Sequence, residues 1–246
     1  MSSDEGQLFM WSLEKPEIPY MLVNYAPKND NEEQGEIITC SDIHPSSDSL
    51  FVYGMSKGNL KIGDLRISSN VQSTATSFGD IGPHKNYIYE LLSSYSDVKF
   101  AKKGSHIVTR DCLTVKLWDV AAPKKPIFTV MLNDAIKSKL CEMVENESIF
   151  DKFQLACSPD SSSILSGGYN NTFHMVDPFE TNSSSINSQY ELSYKKATVV
   201  RSMVKGSTVS RMDYTTRTTA VDFNPKKNMC AVASKNCFFT YAMSWS

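Results

Sequence analysis

The sequence predicts an all-β chain of small, repeated antiparallel sheets. Three observations carry that prediction. A strand–turn–strand–turn–strand pattern recurs four times, apolar residues alternate at period two within its strands, and proline, glycine, asparagine or aspartate marks its turns. The first trace is Trp11-Ser12-Leu13, which resembles the end of a copy whose beginning is absent. The first full copy is DIHPSSDSLFVYGMSKGNLKIGD (42–64). The clearest is DVKFAKKGSHIVTRDCLTVKLWD (97–119). There Val98 and Phe100 alternate with charged residues, Lys102-Lys103-Gly104 turns the chain, Ile107-Val108-Thr109 forms a second strand and Val115–Trp118 a third. The third copy is FQLACSPDSSSILSGGYNNTFHMVD (153–177) and the fourth AVDFNPKKNMCAVASKNCFFTY (220–241). Pro45, Pro159 and Pro225 open the first turn in three copies, because proline presets the backbone angle such a turn needs.

The closing aspartates Asp64, Asp119 and Asp177 are spaced more widely than the roughly 40–45 residues usual for such repeats, so long connections separate the copies. Residues 65–86 are rich in Ser, Thr and Asn. Residues 131–150 predict a short helical passage through Ala135, Lys137, Leu140, Met143 and Glu145. Residues 178–210 contain TNSSSINS and read as a flexible loop. A sheet of three or four strands cannot bury both faces alone, and radial stacking lets each cover its neighbour. The expected architecture is therefore a WD-repeat β-propeller of about four blades (36–66, 97–130, 150–178 and 219–243), preceded by the last strand of another within a stub at 1–14.

The chain has 246 residues, of which 41% are hydrophobic and 21% charged, with a formal net charge of −2. These values lie in the ordinary globular range and favour neither nucleic acid nor an anionic membrane as partner. Residues 1–11 show neither the basic nor the apolar region of a secretory leader, and no apolar run reaches 18 residues. Six cysteines occur without any C-x-x-C pair, which predicts buried thiols in a reducing, cytoplasmic compartment, with the nucleus as a second location.

Candidate catalytic motifs dissolve in their context. Gly54-Met55-Ser56-Lys57-Gly58 spells G-x-S-x-G, but a nucleophile elbow lies between a strand and a helix, and here Asn59–Ile62 alternates like a second strand. His44, His84, His106 and His174 have no metal-ligand spacing; His44 and His174 read as core or edge residues of strands. With no G-x-G-x-x-G and no P-loop, the expectation is no cofactor, no metal and no enzyme. Lys195, Lys196, Arg201, Lys205, Arg211 and Arg217 form a basic stretch, either a solvated loop or a contact for an acidic partner. The Asn-x-Ser/Thr sites at Asn146, Asn170 and Asn182 matter only on a secretory route.

SKLCEMVENESIFDKF (138–153), with YELLSSYSDVKF (89–100), TRDCLTVKLWDV (109–120) and GGYNNTFHMVD (167–177), resembles the WD-repeat 55 kDa class of regulatory B subunits of protein phosphatase 2A. The segment 138–153 is specific, because it lies outside the generic blade pattern. The resemblance implies the C-terminal portion of a seven-bladed propeller. It further implies a non-catalytic subunit that binds the phosphatase scaffold and catalytic subunits and presents phosphoprotein substrates; the alternative is a WD-repeat scaffold that binds proteins without joining the holoenzyme. It places an acidic, an aromatic and a basic groove residue on Glu147, Phe150 and Lys152. Two bulky groups fall on Tyr87 and Ile88, an apolar one on Ile37, and an acid on Glu5. Gly6 stands where the family has leucine, and Val144 where it has tyrosine.

Overall fold

The structure is a computed structural model that describes residues 6–26, 36–67, 75–79, 87–132, 134–170, 172–179, 189–193, 199–201 and 213–242. The chain forms two compact units: Met1–Cys112 with Trp118–Ile127, and Leu113–Leu117 with Phe128–Ser246. Described in turn, each consists of the short antiparallel sheets that the alternation predicts.

In the first unit β1 (Gln7–Met10) pairs with β2 (Tyr20–Asn24), with a bulge between Leu8 and Phe9. The stub at 1–14 thus holds one strand, its partner β2 lies beyond it, and Trp11-Ser12-Leu13 follows β1 rather than forming its end. A meander follows: β3 (Ile38–Ile43), β4 (Leu50–Met55), β5 (Leu60–Asp64) and β6 (Thr76–Phe78), hydrogen-bonded in sequence order. The last of these lies in the Ser/Thr-rich connection. Helix α1 (Tyr87–Ser93) then leads into β7 (Asp97–Ala101), which pairs with β8 (His106–Arg110).

Strand β4 shows why the sheets stack. Phe51, Tyr53 and Met55 pack against Leu8, Val23 and Ile38, while Val52, one residue out of phase, packs with Cys40, Val98, Ile107 and Trp118. Both faces of one strand are therefore core, as a blade between two neighbours requires. Gly54 is needed for the same reason: a Cβ there would sit 2.8 Å from Cys40 Sγ and 3.0 Å from Tyr95 Cβ. Trp118 donates from Nε1 to Thr109 Oγ1 (3.0 Å) and meets Phe78 edge-on at 6.0 Å, so its polar end is satisfied in an apolar setting. Asp42 Oδ2 accepts from the Phe100 amide (2.9 Å), joining β3 to β7.

Strand β9 (Thr114–Asp119) crosses the division between the units. In the second unit its Thr114–Leu117 part pairs with β10 (Phe128–Met131). The predicted helical passage follows as a 3₁₀ turn Asp134–Lys139, helix α2 (Leu140–Glu145) and a second 3₁₀ turn Ser148–Phe150. A five-stranded sheet comprises β11 (Leu155–Cys157), β12 (Ile164–Gly167), β13 (Thr172–Val176), β14 (Gln189–Ser193) and β15 (Val199–Arg201). It therefore extends into the Ser-rich connection. The last sheet is β16 (Thr218–Phe223), β17 (Met229–Ser234) and β18 (Cys237–Ala242). Ala156, Leu165 and Phe173 of one sheet bury against Val221, Phe223, Cys230 and Val232 of the next. The proline turns close through adjacent side chains: His44 Nδ1 accepts from Ser46 N, Asp160 Oδ1 from Ser162 N, and Asn224 Oδ1 from Lys226 N.

All six cysteines are thiols, but their burial differs from the sequence expectation. Cys40 and Cys230 are buried, Cys112 and Cys157 half-buried, and Cys141 and Cys237 exposed. Cys141 lies on the outer side of the short helix α2 and Cys237 on the terminal strand β18, whose residues alternate between exposed and half-buried. Their apolar neighbours in sequence did not imply an apolar environment.

Candidate functional site

The resemblance assigns site residues to both units. In the first, Ile37 precedes β3 and is 40% exposed; its amide donates to Ser56 Oγ (3.2 Å) and its carbonyl accepts from Ser56 N (2.9 Å). Those two bonds give Ser56 a structural role in the strand–turn–strand, which removes the nucleophile-elbow reading. Ile88, on α1, is 43% exposed. Tyr87 opens that helix and its side chain lies outside the described residues, as does Glu5. Of the basic stretch, only Arg217 has a described side chain.

The second unit brings Glu147, Phe150 and Lys152 together on one connection. Helix α2 ends at Glu145 and is capped by Asn146, whose amide donates to the Glu142 carbonyl (3.0 Å), and Glu147 follows in the left-handed region at φ 58°. A residue with a Cβ adopts that conformation only when its surroundings impose it, and here it starts the next 3₁₀ turn in a new direction. The Phe150 amide then donates to the Glu147 carbonyl (3.2 Å) and the Asp151 amide to the Ser148 carbonyl (3.1 Å). Ser148, Ile149 and Phe153 point inward and are buried, while Glu147, Phe150 and Lys152 are exposed. Phe150 exposes 61% of its surface, so it is not the core residue a lone phenylalanine would suggest.

Beside this connection lies an open depression of about 850 Å³. Glu142, Asn146 and Ser148 line one side; Asp213, Tyr214, Thr215 and Arg217 line the other. Asp213 accepts from Thr215 N (2.9 Å), Thr215 Oγ1 (2.6 Å) and Thr216 Oγ1. Those bonds, the Thr215 hydroxyl foremost, hold its carboxyl well below the usual carboxylate range, so it is charged at neutral pH. Burial, with the nearby Glu142 charge, raises the Tyr214 phenol. Among the described lining residues Arg217 is the one cation, with its Nη1 2.5 Å from Asp151 Oδ1, and Glu142 Oε2 lies 3.8 Å from Lys139 Nζ. The depression and its rim therefore carry net negative charge with an exposed aromatic ring alongside, which suits an extended peptide bearing basic and apolar side chains.

Asp151, Tyr169, Asp213 and Arg217 were not among the residues picked out by the resemblance. Asp151 sits between two that were, and Arg217 ends the basic stretch, but only the fold shows that they meet. Among the described residues no cluster of His, Cys, Asp and Glu could hold a metal ion, and no helix is long and apolar enough to cross a membrane.

No family model matches the chain. It is 32% identical, over 98% of its length, to the serine/threonine-protein phosphatase 2A regulatory subunit phr2AB of Dictyostelium discoideum, covering 53% of that protein. It is 34% identical, again over 98% of its length, to the gamma isoform of the 55 kDa regulatory B subunit of serine/threonine-protein phosphatase 2A of Homo sapiens, covering 56% of it. The chain thus spans about half the length of the curated relatives it matches. Among solved structures it is similar to the Cps50 (Swd1) β-propeller domain of Myceliophteria thermophila, with a TM-score of 0.57, 13% identity and coverage of 98% of this chain and 64% of that one. It is also similar to Chaetomium thermophilum Raptor, with a TM-score of 0.61, 13% identity and coverage of 99% and 18%. At that identity the likeness shows the fold, a β-propeller.

Proposed function

We propose that this chain, homologous to the 55 kDa regulatory B subunits of protein phosphatase 2A across 98% of its length, is itself a non-catalytic targeting subunit that binds phosphoprotein substrates and presents them to the phosphatase. The observation that carries the reading is the connection from Glu147 to Lys152. It exposes an acid, an aromatic ring and a base from a backbone whose intervening residues Ser148 and Ile149 are buried and Asp151 half-buried. Phe150 takes an apolar side chain of the substrate, worth about 1–3 kcal/mol on truncation. Glu147 and the depression beside it attract basic residues around the phosphosite, and Lys152 faces acidic ones. Ile37, Tyr87, Ile88 and Glu5 are proposed as further contacts on the family pattern. The proposed partners are the scaffold and catalytic subunits in the cytoplasm; neither nucleic acid, membrane, metal nor cofactor is invoked.

Two measurements test this. Tagged full chain co-expressed with the phosphatase scaffold and catalytic subunits should retain both; retention of neither, with peptide binding intact, favours the reading of a propeller that binds proteins outside the holoenzyme. In calorimetry, Glu147→Lys should weaken a basic peptide ligand by about tenfold, the scale of one charge pair. Unchanged affinity in a folded variant would sink the assignment of Glu147.

A further inference from the structure

We propose that Asp151 is a positioning residue of this site: held from both sides by Arg217 and Tyr169, it fixes the backbone that aims Phe150 and Lys152 at the ligand. The inference rests on the functional reading above and adds a part to it.

Asp151 is half-buried between two exposed residues, so its side chain turns inward where theirs turn out. Both its oxygens are engaged. Oδ1 receives Arg217 Nη1 at 2.5 Å, and Oδ2 lies 3.0 Å from the Tyr169 hydroxyl. That hydroxyl is also 2.7 Å from the Ser148 carbonyl, so it shares its single proton between the two ends of the 3₁₀ turn that carries Phe150. Tyr169 is itself immobilised. Its ring is 3% exposed and meets Phe153 edge-on at 4.9 Å and Tyr214 at 5.5 Å. Arg217 directly precedes β16, whose backbone is tied to the preceding sheet by Gln154 N to Thr219 O (3.0 Å) and Thr218 N to Gly168 O (2.9 Å). The connection is thus braced against two sheets of its own unit, through the Asp151 carboxylate and, at the start of the turn, the Ser148 carbonyl.

An ion pair whose arginine is 44% exposed contributes little to global stability. Its consequence is local. With both oxygens held, the residues on either side of Asp151 lose few further degrees of freedom when a ligand docks, which lowers the ordering cost of binding. The alternative role is electrostatic: Asp151 would merely neutralise Arg217, which would otherwise repel a basic ligand from the depression.

Two substitutions separate these roles. Asp151→Asn removes the pair and leaves the Arg217 charge uncompensated; Arg217→Gln removes the pair without releasing a cation. The probe is a fluorescently labelled synthetic peptide with one leucine flanked by arginines, titrated by anisotropy into the full chain. Positioning requires both variants to weaken binding by about tenfold, Arg217→Lys to recover most of that loss, and neither to add a loss in a Phe150→Ala background, as coupled residues behave. Weakening by Asp151→Asn alone would show charge neutralisation and overturn the proposal, as would equal losses with and without Phe150. Should Asp151→Asn not fold, the partly exposed Arg217 pair of variants decides by itself. If Phe150→Ala leaves the affinity unchanged, the functional reading of the site fails instead, which is a different result.

Discussion

Phe150 and Glu147 show what a single position can and cannot disclose. A lone phenylalanine has even claims to core and surface; only the left-handed backbone at Glu147 turns the following 3₁₀ segment so that Ile149 goes in and Phe150 out. Cysteine burial failed to follow from sequence neighbours for the same reason, since an adjacent apolar residue on a short helix or terminal strand points elsewhere. A direct consequence concerns reactivity. Burial pushes the Cys230 thiol up to about 11, and Cys40 is equally enclosed, whereas Cys141 and Cys237 are open to reagent. Titration of the native chain with a chromogenic disulfide at about pH 8 should modify Cys141 and Cys237 first, and Cys40 and Cys230 only after denaturant, with the sites read by peptide mass mapping. Rapid modification of Cys230 in the folded chain would contradict the packing of β17 against its neighbours.

At the scale of elements, the sheets depend on backbones approaching where no side chain intervenes. Gly167 ends β12 against the entry to β16, and a Cβ there would lie 2.0 Å from the Thr218 carbonyl oxygen. Gly167→Ala should therefore destabilise the second unit by about 3 kcal/mol, the upper range for forced overpacking, seen as a lower urea midpoint at unchanged slope. An unaltered midpoint would mean that the two sheets are not in register as described. The central strands were legible because each is a short run bounded by a turn residue with a mechanism (Pro45, Pro159, Pro225, and Gly58 at φ 80°), whether it alternates as β17 does or is buried almost throughout as β4, β8 and β12 are. Strands β6, β10, β14 and β15 were not. They are outer or added strands carrying Ser, Thr and charged residues, set among loop-like sequence, and their pairing is supplied by the strand they border rather than by their own pattern. The helical passage 131–150 was legible from its helix formers, but its division into two 3₁₀ turns around a six-residue helix was not, because those ends are set by burial of Ile136, Met143 and Ile149.

For the whole molecule, the small net charge conceals carboxylates with opposite preferences, and these set how stability responds to acid. Asp64, Asp160 and Asp213 all titrate below the usual range, the first through its hydrogen bonds to Arg66, the second chiefly through Ser158, the third chiefly through Thr215. Each contributes stability that is present above the unfolded carboxylate pKa of about 3.9 and lost as pH falls through the depressed value. Asp42 behaves oppositely. Burial beside β7 raises its pKa despite the Phe100 amide and Lys99. Folding therefore favours its protonated form, and its contribution to stability is fully present below the unfolded value and lost as pH rises through the raised one. The two groups combine into a profile in which Asp42 partly offsets the acid loss caused by the other three. Asp42→Asn keeps an oxygen for the Phe100 amide while removing the buried charge. Its melting temperature should exceed that of the parent chain at about pH 7, by a margin that shrinks as pH falls through the raised value of Asp42 and vanishes below the unfolded carboxylate value of about 3.9. Scanning calorimetry of the two chains across that range measures the margin directly. A margin that stays constant or grows toward acid would show that the Lys99 pair, 3.9 Å away, outweighs burial, and would assign Asp42 to the group that stabilises only when charged.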